Sequence, residues 1–258
     1  MAKIDYIVPT WNSGATLLLT LRSIKKYGNP NQIIIVDRYS KDETIRIANE
    51  FECEIVMSDK PLGAARRMGA EISMTDLIGF VDSDVELTPE WVEIIRCILG
   101  NIYEDAGVVS AHYNDNYVAN ITSTVALNGG NGAFGCCITY RKLILECEDL
   151  DNYSSAEDGI YAKYLAKNGL KWYLLPVVVL HHQNFTDISY YSRWRWLGAG
   201  LRMKDGFSLL NIKRIMGGAI FGIRISNLNI SYWKNFRIRC NYFLGYMRYK
   251  KYYEINRD

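Results

Sequence analysis

Along the first half of the chain, short unbroken apolar runs alternate with longer stretches in which apolar residues recur at helical spacing. Ile4 to Pro9 reads as a buried strand. A helix from about Gly14 to Tyr27 follows, with Ser13 as its N-cap, an apolar stripe through Leu17, Leu21 and Ile24, and Gly28 just past its end. Gln32 to Asp37 is a second strand, and Ser40-Lys-Asp-Glu43 has the form of a capping box opening a helix to about Phe51. Glu54 to Met57 is a third strand, Leu62 to Ser73 a helix, and Leu77 to Val81 a fourth strand. Thr88-Pro89 marks another helix start, with the helix ending near Gly100. Beyond Gly107 the pattern is less regular. It still predicts a Gly-rich loop from Asn128 to Gly135, a strand through Cys136 to Arg141, a helix from about Ala156 to Asn168 stopped by Gly169, and an apolar strand reaching His181.

This alternation predicts an α/β fold with a mainly parallel sheet flanked by helices. Ligands of such sheets bind outside the carboxyl ends of the strands. Thr10 follows the first strand, Asp37 ends the second, and Asp82 and Asp84 follow the fourth, so residues distant in sequence converge on one edge.

Charge divides the chain. Residues 1–185 carry 16 Lys/Arg against 24 Asp/Glu, a net of −8, whereas residues 186–258 carry 14 against 4, a net of +10. We therefore read residues 1–185 as the catalytic domain and residues 186–258 as a basic, aromatic-rich, mainly helical extension. Six Cys without a Cys-x-x-Cys pair indicate neither a zinc site nor a disulfide framework. Together with an apolar strand starting near the N-terminus and no leader pattern, they lead us to expect a cytoplasmic setting. No window approaches the apolar length of a membrane span.

Phe80-Val-Asp82-Ser-Asp84-Val-Glu86 places two carboxylates on one side of an extended chain, between apolar residues. Isolated Asp-x-Asp pairs are usually solvated turns. Here a buried strand leads in and a helix start follows. Hard divalent ions such as Mn2+ or Mg2+ take one or two carboxylates plus substrate phosphates, so one acid can hold the ion while the other reaches a ribose hydroxyl.

Four ordered segments resemble the family 2 glycosyltransferases of GT-A type: Ile7-Val-Pro-Thr-Trp-Asn12; Ile34-Ile-Val-Asp37 with Ser40-x-Asp42-x-Thr44; Gly63-Ala-Ala-Arg66-Arg-x-Gly69; and the acidic triplet. A fifth, Ala156-Glu157-Asp158, precedes a helix similar to the family's acceptor-site helix. The resemblance implies metal-dependent, inverting sugar transfer from a UDP- or GDP-linked donor to a saccharide or lipid-linked hydroxyl. It implies base and ribose contacts for Thr10 and Asp37, a diphosphate contact for Arg66 with Arg67 competing, a ribose contact for Asp82 and metal ligation by Asp84. Asp158 then matches the general base, with Glu157 orienting the acceptor or raising the base's pKa. His181, with His182 next, completes the metal site. Gly130, Asn131 and Gly132 resemble the glycine-rich lining of the sugar pocket. Tyr190-Tyr-Ser-Arg193-Trp194 resembles the Gln-x-x-Arg-Trp element of processive members with Tyr in place of Gln, leaving Trp194 as an aromatic platform. Arg38 stands where a second acid is common, so the choice of base stays open.

The extension interleaves aromatics with Lys and Arg from Trp194 to Lys251, a composition suited to the membrane interface. We expect peripheral contact with the inner face of the membrane; a dimer face is the other reading. Nucleic acid is disfavoured because the acidic half would repel its backbone. Two other activities are compatible with parts of the pattern. A polyprenyl-phosphate sugar synthase shares the donor site, and a nucleotidyltransferase needs a basic loop after the first strand that Thr10-Trp-Asn-Ser-Gly14 lacks.

Overall fold

The computed structural model describes residues 3–114, 124–125, 133–182, 187–220 and 232–250. Contacts divide the chain into two compact units, Met1–Asn152 with Glu157–Gln183, and Tyr153–Ala156 with Asn184–Asp258. The short 153–156 segment that groups with the second unit had no signal in the sequence.

In the first unit the described strands are β1 (Ile4–Thr10), β2 (Pro30–Asp37), β3 (Glu54–Met57), β4 (Leu77–Val81), β5 (Val85–Glu86), β6 (Ala106–Tyr113), β7 (Thr124–Val125), β8 (Cys136–Tyr140) and β9 (Lys171–His181). They are ordered β3-β2-β1-β4-β8-β6-β9-β5, with β7 pairing with β9. β3, β2, β1 and β4 are mutually parallel. β8 is antiparallel to both β4 and β6, and β6 is parallel to β9, so β6 and β9 run in the direction of β4. The carboxyl ends of β1, β2, β4, β6 and β9 therefore share one edge.

The apolar runs lack polar alternation because the sheet is covered on both faces. Ile4, Tyr6 and Val8 of β1 and Ile33 and Ile35 of β2 join one core cluster, whereas Ile7, Ile34 and Val36 join the other. That is the two-residue period of a strand. The first face is closed by α1 (Leu17–Ser23), α2 (Thr44–Glu50) and α4 (Trp91–Leu99), which contribute Leu17, Leu21, Ile47, Trp91, Ile94 and Ile98. The second is closed by α3 (Leu62–Ile72), α5 (Arg141–Glu146) and α6 (Glu157–Lys167), through Ala65, Ala70, Leu143, Ile144, Tyr161 and Leu165.

Three expected caps are replaced by tertiary contacts. Ser13 is not the N-cap of α1, which starts after Thr16; the Ser13 N–H donates to Thr44 Oγ1 at 2.7 Å and its hydroxyl meets Ser83 Oγ at 2.8 Å. Ser40 does not cap α2, because it is turned onto Asp37. Thr88 donates its hydroxyl to the Val178 carbonyl at 2.8 Å rather than capping α4. Past α1 the chain continues as a π-turn, Ile24–Gly28, and Asn29 with φ 49° ends it. Gly28 is required for a different reason than a helix stop: a Cβ there would lie 2.9 Å from the Tyr6 ring.

The second unit contains α7 (Asp187–Asp205), α8 (Leu209–Ile220) and α9 (Tyr232–Met247). α7 and α9 approach at backbone distance, since a Cβ on Gly198 would meet the Tyr242 carbonyl at 2.0 Å and one on Gly245 the Arg195 carbonyl at 1.9 Å. No described helix is long and apolar enough to cross a membrane.

Candidate active site

β4 ends at Val81, and the triplet Asp82-Ser83-Asp84 turns outward at the carboxyl edge before pairing resumes at β5. The turn is held from three sides. Asp82 N–H donates to the Gly135 carbonyl at 3.0 Å, Val85 N–H to the Asp82 carbonyl at 3.0 Å, and Thr16 Oγ1 to the Ser83 carbonyl at 2.8 Å. Gly135 lies so close that a Cβ there would sit 2.1 Å from Asp82 Oδ2, leaving glycine as the side chain that fits.

β5 pairs with β9 so that Val85 faces His181. This register brings Asp84 Oδ2 and His181 Nε2 to 3.3 Å. His182 instead meets Glu86 Oε2 at 2.8 Å, so of the two histidines it is His181 that faces the triplet. Among the described residues no three His, Cys, Asp or Glu side chains converge as a closed metal cage. One carboxylate and one imidazole with open positions are a donor set that fits Mn2+ or Mg2+ carrying substrate phosphates. Asp84, with a side chain 37% exposed against 7% for His181, is the one open to an incoming ion.

Tyr113, at the end of β6, links Asp82 to the histidine. Its ring stacks on His181 at 4.4 Å, and its hydroxyl points at Asp82 Oδ2 from 3.5 Å. Burial, and then the Asp82 charge, push the phenol well above its ordinary range, so it serves as a donor. The sequence pattern points neither to Tyr113 nor to the Ser13–Ser83 contact, and marks Gly135 only as the end of the Gly-rich loop, not as a contact of Asp82.

Beneath the triplet lies Arg66 of α3, 1% exposed, between the rings of Phe80 and Phe134. Its Nη2 donates to Asp82 Oδ1 at 2.8 Å and is 3.9 Å from Glu157 Oε1. Burial disfavours the cation, but the Asp82 and Glu157 charges outweigh it and raise its pKa. Arg67 faces elsewhere, in a two-point pair with Asp151 at 2.7 and 2.8 Å. Of the two arginines, Arg66 is therefore the one joined to the triplet.

Glu157 and Asp158 occupy the first turn of α6. Glu157 is buried, and desolvation followed by the like charge of Asp158 raises it from 4.5 to about 8 against the pull of Arg66. Asp158 is half-buried, its Oδ1 accepting the Gly159 N–H at 2.8 Å. Between pH 4.5 and about 8 the folded chain thus holds a proton that the unfolded chain releases, so this group's contribution to stability falls as pH rises through that window. Glu157→Gln, neutral at every pH, is expected to remove that fall. Thermal melts at pH 5 and pH 9 should show wild type losing ground to the variant as pH rises. Parallel pH profiles would contradict the assignment.

Thr10 and Asp37 are register partners on β1 and β2. Asp37 is fully buried and accepts from Thr10 Oγ1 at 2.7 Å, Ser40 Oγ at 2.6 Å and Ser40 N–H at 2.7 Å. The exposed groups beside it are Trp11 and Tyr39, with the Arg38 guanidinium 5.7 Å from the Trp11 ring. Gly130, Asn131 and Gly132 lie outside the described residues. Trp194, in the second unit, packs against Tyr190 and Tyr242 with its indole nitrogen buried.

Residues 5–118 match the family described as glycosyl transferase family 2. The undecaprenyl-phosphate 4-deoxy-4-formamido-L-arabinose transferase of Yersinia enterocolitica is 26% identical over 56% of this chain and 50% of its own length. The O-antigen chain rhamnosyltransferase RfbN of Salmonella typhimurium is 24% identical over 74% of this chain and 70% of its own. The chain thus spans about half the length of the first of these relatives. Glucosyl-3-phosphoglycerate synthase from Mycobacterium tuberculosis, solved with Mn2+, UDP and glucosyl-3-phosphoglycerate, superposes with a TM-score of 0.61 at 20% identity, covering 80% of this chain and 81% of that one. That likeness identifies the fold as GT-A type. Ordered motifs and the sheet edge on which they meet agree with this match, so residues 5–118 are similar to glycosyl transferase family 2.

Proposed function

We propose that the chain transfers a sugar from a nucleoside diphosphate donor, UDP- or GDP-linked, to a hydroxyl acceptor, with a divalent metal and inversion at the anomeric carbon. The observation that carries this reading is the Asp84–His181 pair at 3.3 Å, set beside Asp82 on the carboxyl edge. Asp84 and His181 would hold Mn2+ or Mg2+, and when bound that ion neutralises charge developing on the leaving diphosphate. Asp82, aimed by Arg66 and Tyr113, takes the ribose; Arg66, being buried, acts through it. Thr10 and Asp37 shape the base end, where Trp11 and Arg38 are the groups able to meet a base.

Glu157 held neutral leaves the negative charge of the pair on Asp158, which takes the proton of the attacking hydroxyl. Asp158→Asn is expected to lower transfer by about 10²–10⁴ while donor affinity stays unchanged. Near-normal turnover in that variant would instead favour a lipid-phosphate acceptor, a group that needs no base. The name of the Yersinia relative, an undecaprenyl-phosphate transferase, gives that second reading its support. Either acceptor can be lipid-linked, and the basic extension, net +10 over residues 186–258, suits peripheral contact with an anionic membrane. Screening nucleotide sugars for hydrolysis with Mn2+ and with EDTA tests the donor reading without the acceptor. Release of sugar from one donor, in Mn2+ alone, is the expected outcome.

A further inference from the structure

The turn between α7 and α8 presents three large apolar side chains within four residues: Phe207, Leu209 and Leu210 are 57%, 67% and 55% exposed. Among the described residues no other four-residue stretch exposes as many. Ser208 between them faces the opposite way. Its N–H donates to Tyr246 Oη at 2.7 Å, its hydroxyl accepts the Asn211 N–H at 3.3 Å, and Tyr246, fully buried, donates to the Gly206 carbonyl at 3.0 Å. The turn is thus pinned from inside while its apolar groups stay outside.

Charge on the same face completes the pattern. Lys213 and Arg214 are exposed and lie four residues after Leu209 and Leu210, hence beside them on α8. On the α7 side the Arg202 guanidinium sits 4.8 Å from the Phe207 ring. Apolar groups at a tip with cations one turn behind match a bilayer interface, where the first enter the acyl boundary and the second meet lipid phosphates. A protein partner would need no such layering.

We infer that Phe207, Leu209 and Leu210 form a membrane-inserting tip, with Lys213 and Arg214 binding anionic headgroups. This deepens the membrane contact of the proposed function and rests on it. The full chain is tested by sedimentation with phosphatidylcholine vesicles, with and without phosphatidylglycerol. Wild type is expected to sediment with the anionic vesicles. Phe207→Ser/Leu209→Ser/Leu210→Ser should weaken that binding at least about tenfold, and Lys213→Glu/Arg214→Glu, which changes only exposed groups, should weaken it on anionic vesicles. Leu209→Trp should shift its emission to the blue on binding. If wild type binds and neither set weakens it, the tip is wrong while the membrane contact stands. If wild type does not bind, both fall. A triple variant that alters self-association instead of vesicle binding would assign the tip to a second copy and overturn the inference.

Discussion

Asp84→Ala is expected to lower metal-dependent hydrolysis of the nucleotide sugar by about a thousandfold or more, with the fold intact. The size follows from the several kcal/mol that a metal contributes to a leaving diphosphate, each 1.36 kcal/mol being tenfold in rate. The intact fold follows from the way the residue is held. Its carbonyl accepts the His182 N–H at 2.7 Å, a contact the substitution keeps, and its side chain is 37% exposed. Melting should therefore shift by no more than about 0.5 kcal/mol. The measurement pairs initial rates in Mn2+ and EDTA with a thermal melt of the same sample. A variant that keeps its Mn2+ response would place the ion elsewhere, and one that fails to fold would show the triplet to be a structural turn.

Arg66→Met is expected to act in the opposite manner, on stability first. The guanidinium is enclosed by Phe80 and Phe134; its charge answers the Asp82 carboxylate at 2.8 Å, and the Glu157 carboxyl lies 3.9 Å away. Replacing a whole buried ion pair by apolar groups can be neutral; removing one partner strands the other and destabilises by about 3–5 kcal/mol. For a chain of this size that lowers the melting temperature by roughly 10 °C. Glu157, released from the pull of Arg66, should stay protonated to still higher pH, so the loss should deepen as pH rises through 8. A variant as stable as wild type at pH 8 would show that Arg66 does not balance the acids.

The frame of the site was legible because its parts obey local rules. β1, β2 and β4 are buried on both faces, so their sequences are continuous apolar runs that end at Thr10, Asp37 and Asp82. What was not legible depends on partners distant in sequence. Ser13, Ser40 and Thr88 have the chemistry of helix caps, and each is drawn instead to a neighbour brought by the fold: Ser83, Asp37 and Val178. β6 was missed because Gly107, Ser110 and His112 interrupt its apolar run, and with it went Tyr113, the residue that touches Asp82 and stacks on His181. The adjacent histidines could not be told apart from sequence. The register of a two-residue strand decides between them, setting Val85 opposite His181 and leaving His182 to Glu86. Glu157 reads in the sequence as a modifier of its neighbour; burial instead raises its own titration.

A nucleoside-diphosphate site completed by a metal on Asp84 and His181 must bind nucleotide more tightly when the ion is present. Calorimetric titration of UDP and GDP into the full chain, once with Mn2+ and once with EDTA, measures this. One of the two is expected to bind at least about tenfold tighter with Mn2+, and Asp84→Ala to remove the gain. Equal affinity with and without the ion, or no binding of either nucleotide, would contradict that site.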